Sequence, residues 1–565
     1  MFLAATDFTQ KLDPLNSILG STLVALLPLT LLLVLLAVMR VTAWLAVIVG
    51  AVVTITMAIT IWGSPSGPTF QAWGIGAGTG IWSIDWIVFW GVVIYNVLVE
   101  TGAFAHFRHW LVTQATADVR IQAILMAWAL GALLEGLVGF GYPWAVIAPI
   151  LVGLGVAEID AIRVAAIGNN APVSYGALGA PIIALATVTN VPLLSLSASV
   201  GRIVAVLALL PPWILIYLVT GRRGLRGIWP LPIVASLSYV LGQFPTSQFL
   251  GPYLPDIVGA LVSFGALLLL LRFWRPAETL GYGGVPLAAD AVPVGPGPTG
   301  AGATGTRSAG TGPADAPGSQ QRPGVRAAVP AFLAFGILIV VVVAGTGPWS
   351  HLGDYTFVKP EVDAISSLPP HDTVSVVWKF APAIAGTWIL ISLLVILAAL
   401  RVGAAQFMAA LKRSFSQTWG ALLVAPIVFG LATVFNYSGM ASTLAYGFSR
   451  VGTWFILLAP ILGWIGVALS GSNTSTNALF GGFQYAVGGL LRMPLLLLPS
   501  LNSVGAEVGK PVAPQTASVG VSTSSYVRRE GEVIRHNFGW TLVILGYLIL
   551  IGVLYYYVLP DAMRQ

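Results

Sequence analysis

The chain is a succession of apolar stretches, each close to the length that carries a helix across a bilayer, about 20 residues. They fall near 18–39, 41–62, 81–103, 199–219, 230–246, 256–273, 329–347, 375–400, 415–436 and 538–559. Charge agrees with this pattern. Only 8% of the 565 residues are ionisable acids or Lys/Arg, against roughly 25% in soluble domains, too few to clothe a globule of this size in water. The sequence therefore predicts an all-α, multi-pass integral membrane protein whose solvent is the lipid bilayer. Soluble enzymes, nucleic-acid binders and secreted disulfide scaffolds are excluded, the last because there is no cysteine. No cofactor or metal is expected: the five histidines are scattered, and His106 and His109 read as loop residues. The first apolar stretch is too long for a signal-peptide core and is expected to stay as a membrane helix.

Two regions, 121–190 and 451–525, are apolar but broken by Gly, Pro, Asn and Ser. The basic residues orient them. Arg40, Arg108, Arg120, Arg222, Arg223, Arg226, Arg272, Arg275, Arg401, Lys412, Arg413, Arg528, Arg529 and Arg535 fall in alternate loops, which the positive-inside rule assigns to the cytoplasm. Both termini then lie outside. Region 121–190 must run from inside to outside and region 451–525 from outside to inside, the arrangement of inverted-topology repeats. The first reads LLEGLVGFGYP (133–143) then GNNAPVSYGALGAP (168–181); the second reads LSGSNTSTNALF (469–480) then LNSVGAEVGKPVAPQ (501–515). Each is a Gly-rich turn followed by an Asn-containing, Pro-containing break. About 12–14 membrane segments are expected. The boundaries are 1–80 for the N-terminal helices, 81–274 for the first repeat (hairpin near 134–155, break near 163–189), and 275–328 for a disordered cytoplasmic linker rich in Gly, Pro, Ala and Thr. Connecting helices with an external loop at 348–372 occupy 329–400, and the second repeat occupies 401–565 (hairpin near 470–498, break near 501–524).

Irregular backbone at membrane depth survives only when buried in protein or lining a wet cavity. Four such breaks imply a central polar site, with helix ends suited to an anion. Glycines Gly136, Gly139 and Gly471 would form the hairpin turns. Glu135 has no charge within a dozen residues, and an intramembrane carboxylate is a candidate proton carrier; capping of the hairpin backbone is the plainer alternative. Lys510 needs an anion, either Glu507 three residues away in a peptide read as non-helical, or a substrate carboxylate with Glu507 tuning it. Ser472, Asn473, Thr474 and Asn477 supply hydroxyls and amides at one turn; Asn169, Asn170, Tyr175, Asn502 and Gln515 could add to them. Ordinary N-capping would also explain the Ser/Thr/Asn run.

The segments LEGLVGFGYPWAVIAPILVGLG (134–155), NNAPVSYGALGAPI (169–182), RRGLRGIWP (222–230), SGSNTSTNALFGGFQ (470–484) and GKPVAPQTASVGV (509–521) resemble the lactate permease family of bacterial carriers. The resemblance spans most of the chain and is interrupted by the linker. It implies import of L-lactate, with D-lactate or glycolate, by proton symport across the bacterial plasma (inner) membrane, re-entrant hairpins, and an elevator-type motion of a transport domain against a scaffold. In two places the chain departs from the family pattern: Asn473 stands where an Asp is usual, and Glu507 where no acid is usual. The expected partners are thus a small monocarboxylate and a proton; a homodimer is left open, as are Na⁺ coupling, another small organic anion and a passive channel. An intramembrane enzyme is disfavoured, since no span carries an Asp-rich motif or a Ser/His set.

Overall fold

A computed structural model describes residues 8–39, 41–114, 116–139, 141–287, 325–369, 371–378 and 380–564. Arg40 and most of the expected linker lie outside the described residues. Among those described, ten helices are long and apolar enough to cross a membrane, or eleven if Glu158–Gly168 and Val173–Thr189, bent by 67°, form one span. Tyr142–Gly153 and Ala385–Ala399 are shorter apolar helices. Large apolar side chains such as Leu19, Val52, Leu237, Leu241 and Leu550 stay exposed on the helix surfaces, as a lipid-facing belt requires.

Ala404–Ser438 is the longest helix and packs on Ser66–Thr79, Ala43–Thr60 and Trp86–Glu100. Small residues permit the approach: a Cβ at Gly80 would lie 2.7 Å from the Pro426 Cα. This helix begins well before the apolar stretch at 415–436. Its first turns carry Lys412 and Arg413, and Arg413 reaches Glu100 at 3.2 Å; charges at a helix end sit comfortably in water, so hydropathy alone truncates the element. Two further corrections concern local structure. His106 and His109 lie in a helix, Ala103–Gln114, not a loop. The helix expected at 375–400 starts only at Ala385; ahead of it Glu361–Ile365 and Thr373–Val377 form an antiparallel hairpin with Glu361 opposite Val377. Alternation in VDAIS and TVSVV is the period-2 signal of strands. The hairpin buries Val362, Ala364 and Val376 with Phe8, Ile75 and Tyr437.

The two broken regions fold as paired devices. In the first, Val119–Leu137 is wholly buried and Tyr142–Gly153 turns back beside it. The reversal uses left-handed backbone at Gly139 (φ +68°) and Gly141 (φ +81°), which only glycine adopts without strain. Then Glu158–Gly168 stops at Asn169, a short 3₁₀ turn spans Val173–Tyr175, and Gly176–Thr189 resumes after left-handed Ala177, Leu178 and Gly179. In the second, Phe455–Ser470 ends at Gly471 (φ +72°), and Asn473–Leu490 starts with Ser472 Oγ accepting from the Ser475 N–H at 3.2 Å. Leu497–Gly509 runs into a 3₁₀ turn at Lys510–Val512, and Pro514–Gly520 follows; Pro511 and Pro514 lack the N–H groups that would continue the ladder.

Contacts sort the loops into two ends. At the end bearing Arg528, Arg529 and Arg535, Glu158 accepts from the Ser525 N–H at 2.8 Å, and Asp160 meets His536 at 2.9 Å and the Tyr282 hydroxyl. The head of the expected linker is ordered here: Val119 N–H donates to Leu280 O at 2.9 Å and Leu280 N–H to Asp118 at 3.1 Å. At the other end, Gln10 N–H donates to Ile365 O at 2.9 Å and Leu496 N–H to Met563 O at 3.1 Å, while Asn190 Nδ2 reaches Ser375 O at 3.4 Å. The first helical hairpin opens toward the basic end, the second toward the opposite end.

Candidate functional site

The tips of both hairpins and both breaks converge on one buried polar network. Glu135, on Gly131–Leu137, is 1% exposed and Lys510 is 5% exposed; they form an ion pair through Glu135 Oε1. Asn169 Nδ2 donates to the other carboxylate oxygen, Oε2, at 2.8 Å. Gly176 makes the approach possible, since a Cβ there would lie 2.5 Å from Glu135 Oε1. The first hairpin, the first break and the second break are thereby tied at one carboxylate.

Glu507 is fully buried and belongs to the helix Leu497–Gly509, so the non-helical reading of this peptide is corrected. Lys510 follows on the same helical path, yet its ammonium bonds Glu135 and not Glu507. Glu507 Oε2 instead accepts from the Ser174 N–H at 3.1 Å and from the Ser174 hydroxyl. Ser174 Oγ also meets Ser503 Oγ at 3.3 Å. Ser503 in turn receives Asn477 Nδ2 on its hydroxyl at 2.9 Å and Asn473 Nδ2 on its carbonyl at 3.1 Å. Asn477 Nδ2 also reaches Pro181 O at 2.9 Å, Asn502 Nδ2 donates to Asn477 Oδ1 at 3.0 Å, and Gln484 Nε2 donates to Asn502 Oδ1 at 2.9 Å.

The remaining sequence candidates separate by position. Ser472 is an N-cap, and Thr474 is partly buried in the first turn that follows. Tyr175 turns its hydroxyl away, to Ser197 O at 2.6 Å. Gln515 is exposed and packs over Gly471, whose Cβ would lie 2.6 Å from the Gln515 Cβ. Gly136 is not in the hairpin turn as expected but inside the helix Gly131–Leu137, where it lies against Asp256. Ser174, Ser503 and Gln484 were not singled out from the sequence; the i,i+4 spacing of Ser503 and Glu507, shared by Asn473 and Asn477, is the signal that marks a polar helix face.

Several polar atoms of the network find no protein partner: Asn169 Oδ1, both amide atoms of Asn170, Asn473 Oδ1 and Glu507 Oε1. Buried polar groups are nearly always satisfied, so these open atoms are free to bond water or another polar molecule. The network holds one ammonium, paired with Glu135, and a second carboxylate, Glu507, held by Ser174. Ammonium, amides and hydroxyls can hold a carboxylate and a hydroxyl of a small molecule, and the carboxylates can exchange protons.

Comparison with known proteins agrees with a carrier. The family model described as L-lactate permease matches residues 21–559. The chain is 32% identical to a glycolate permease of Escherichia coli (strain K12), covering 98% of each chain, and 30% identical to an L-lactate permease of Bacillus subtilis (strain 168), covering 98% of this chain and 99% of that one. Among solved structures, the YdaH transporter of Alcanivorax borkumensis aligns with a TM-score of 0.43 at 15% identity, over 86% of this chain and 87% of that one. With its membrane helices and a polar site formed where they break, this multi-pass transporter belongs to the L-lactate permease family.

Proposed function

We propose that the protein imports small 2-hydroxymonocarboxylates, L-lactate first and D-lactate or glycolate with it, by proton symport across the bacterial plasma membrane. The observation that carries this reading is the buried Glu135–Lys510 ion pair. Lys510 is the one cation of the network, and Glu135 occupies it. A substrate carboxylate can bind Lys510 only by displacing Glu135, and a displaced, buried, ionised carboxylate is costly. A proton on Glu135 removes that cost. Anion and proton therefore enter together, and the loaded site carries no more charge than the empty one. Asn169 holds Glu135 in either form, because a neutral carboxyl still accepts its N–H. Glu507 provides a second carboxylate within the same network. The hydroxyl of the substrate would be met by the open amide oxygens of Asn169 and Asn473.

The two hairpins opening toward opposite ends support inverted repeats over 81–274 and 401–565, and the long helix Ala404–Ser438 with its neighbours is the natural scaffold for an elevator motion. Uptake by proteoliposomes tests the reading, with labelled lactate, glycolate and a dicarboxylate and with pH and Na⁺ gradients imposed separately. A pH gradient, acid outside, should drive lactate and glycolate accumulation without Na⁺. Accumulation that follows only the Na⁺ gradient, or none beyond equilibrium, would overturn the coupling; preference for the dicarboxylate would overturn the substrate.

A further inference from the structure

Next to this network lies a row of buried polar groups that the ion pair does not use. Asp256, in the first turn of Pro255–Phe273, is 1% exposed. It packs against Gly136, where an added Cβ would lie 2.8 Å from the Asp256 Cβ, one residue from Glu135. Its Oδ1 accepts from the Tyr239 hydroxyl at 2.9 Å, while Oδ2 has no partner in the protein. Tyr239, Gln243 and Ser247 are spaced four apart on Pro230–Phe249 and so share one helix face. All three are fully buried or nearly so. Gln243, between the other two, has neither Nε2 nor Oε1 partnered. At the far end of the row the Ser247 and Tyr175 hydroxyls converge over Gly201, where a Cβ would lie 2.1 Å from one and 2.8 Å from the other. Tyr175 is flanked by Ser174, which holds Glu507, and by Gly176, which underlies Glu135. The row thus runs from Asp256, packed on Gly136, to Tyr175, whose two chain neighbours touch Glu507 and Glu135. Tyr239 bonds Asp256 directly, and the other charged groups that act on it from the packed elements are Glu507, Glu135 and Lys510.

An Asp in a first helical turn is ordinarily explained by the helix dipole, but that leaves Oδ2 and the whole Gln243 amide without a role. An open amide one turn along the helix from Tyr239, the partner of Asp256, and an open carboxylate oxygen together offer the donors and acceptors that hold ordered water, the usual means by which buried polar groups are satisfied. We propose that Asp256 is a further proton-holding carboxylate of this carrier, beside Glu135 and Glu507, connected through water held at Gln243 to the Glu135–Glu507 network. A proton leaves the Asp256 carboxyl oxygen for that water. The water passes a proton on to the open Glu507 Oε1, and only O–H bonds break and form. Tyr239 positions Asp256 through its hydroxyl. The inference rests on the proton-symport reading above and adds a residue to it.

The test uses full-length protein in proteoliposomes. Asp256→Asn keeps the size and the acceptor for Tyr239 but cannot hold a transferable proton. Lactate–lactate exchange at equal pH, which needs no proton release, should change by about twofold or less, while accumulation driven by a pH gradient falls by about tenfold or more. Gln243→Leu removes the water anchor without altering the carboxylate and should reduce accumulation with exchange kept. Should Asp256→Asn fail to fold, the Gln243→Leu result decides. Undiminished accumulation in either folded variant overturns the inference, and so does parallel loss of exchange and accumulation, which marks a structural role. Absence of proton-driven accumulation in the unmodified protein would instead overturn the proton-symport reading itself, so the two failures are distinguishable.

Discussion

Glu135→Gln isolates the exchange between carboxylate and substrate at Lys510. In the unmodified chain the ammonium is held by Glu135, so an incoming carboxylate must displace a charge-assisted hydrogen bond worth about 1.5–3 kcal/mol. Glutamine keeps the size and the acceptor for Asn169 Nδ2 and removes the charge. Lactate should then bind more tightly at neutral and alkaline pH, by about 10- to 150-fold if the whole bond is recovered. If substrate and proton bind together, affinity in the unmodified protein should rise as pH falls, whereas the variant, which has no carboxylate at this position, should lose that dependence. Stability moves the opposite way. A buried Lys510 without its counter-ion costs about 3–5 kcal/mol, and saturating lactate should restore much of it by supplying the missing anion. Titration of lactate into purified protein at two pH values, with thermal melts in its presence and absence, reads all of these. Transport adds a further readout: accumulation driven by a pH gradient stops, and part of the lactate–lactate exchange remains. Unchanged or weaker binding with the pH dependence intact, or undiminished accumulation, would refute the displacement argument.

Lys510→Ala removes the one cation of the network, so uptake assays should show a strongly raised apparent KM or no transport; normal kinetics would remove Lys510 from the site. Gly176→Ala places a Cβ 2.5 Å from Glu135 Oε1, and because Glu135 is buried on all sides it cannot simply yield. Proton-driven uptake should fall by at least about tenfold, with destabilisation of about 1–3 kcal/mol from overpacking, whereas Gly420→Ala, with open space around it, should leave uptake unchanged.

The membrane class and the four breaks were legible because both follow from local chemistry. A run of apolar residues has one solvent in which it can stay extended as a helix, and Gly139, Gly141, Gly471, Pro511 and Pro514 forbid or redirect the backbone wherever they occur. Glu135 and Lys510 stood out for a similar reason, since a charge alone in an apolar stretch demands a partner. Which partner it takes is not local. Glu507 is three residues from Lys510, yet the mate that the fold delivers is Glu135, on the other half of the chain. A polar atom is satisfied by whatever the tertiary packing brings within reach, so Ser174, which serves Glu507 across the same gap, carried no mark in its own neighbourhood. Local sequence around Asp256 shows only that a helix begins there; its burial against Gly136 comes from the hairpin folding onto it. The strands at 361–377 fall in the expected external loop 348–372 and the start of the expected helix at 375–400, although their alternation was present.

The two departures from the family pattern become one feature once the contacts are traced. The resemblance puts an acid where Asn473 stands and none at Glu507. In the fold Asn473 Nδ2 bonds the Ser503 carbonyl, the Ser503 hydroxyl meets Ser174, and Ser174 holds Glu507. The two positions are therefore linked through two serines, and moving a carboxylate from one to the other leaves the charge of the network unaltered. This predicts a reciprocal pattern. Asn473→Asp alone adds a third carboxylate and sets it against the Ser503 carbonyl in place of a donated hydrogen bond, at a cost of about 1–3 kcal/mol. Glu507→Gln alone keeps an acceptor for Ser174 but removes a protonatable group, so proton-driven accumulation should drop. The double substitution restores the count of carboxylates, and accumulation should recover above the level of Glu507→Gln. Uptake under an imposed pH gradient compares the three. A double variant no better than Glu507→Gln would mean that the position of the charge matters and not its presence in the network, and the two departures would then be unrelated.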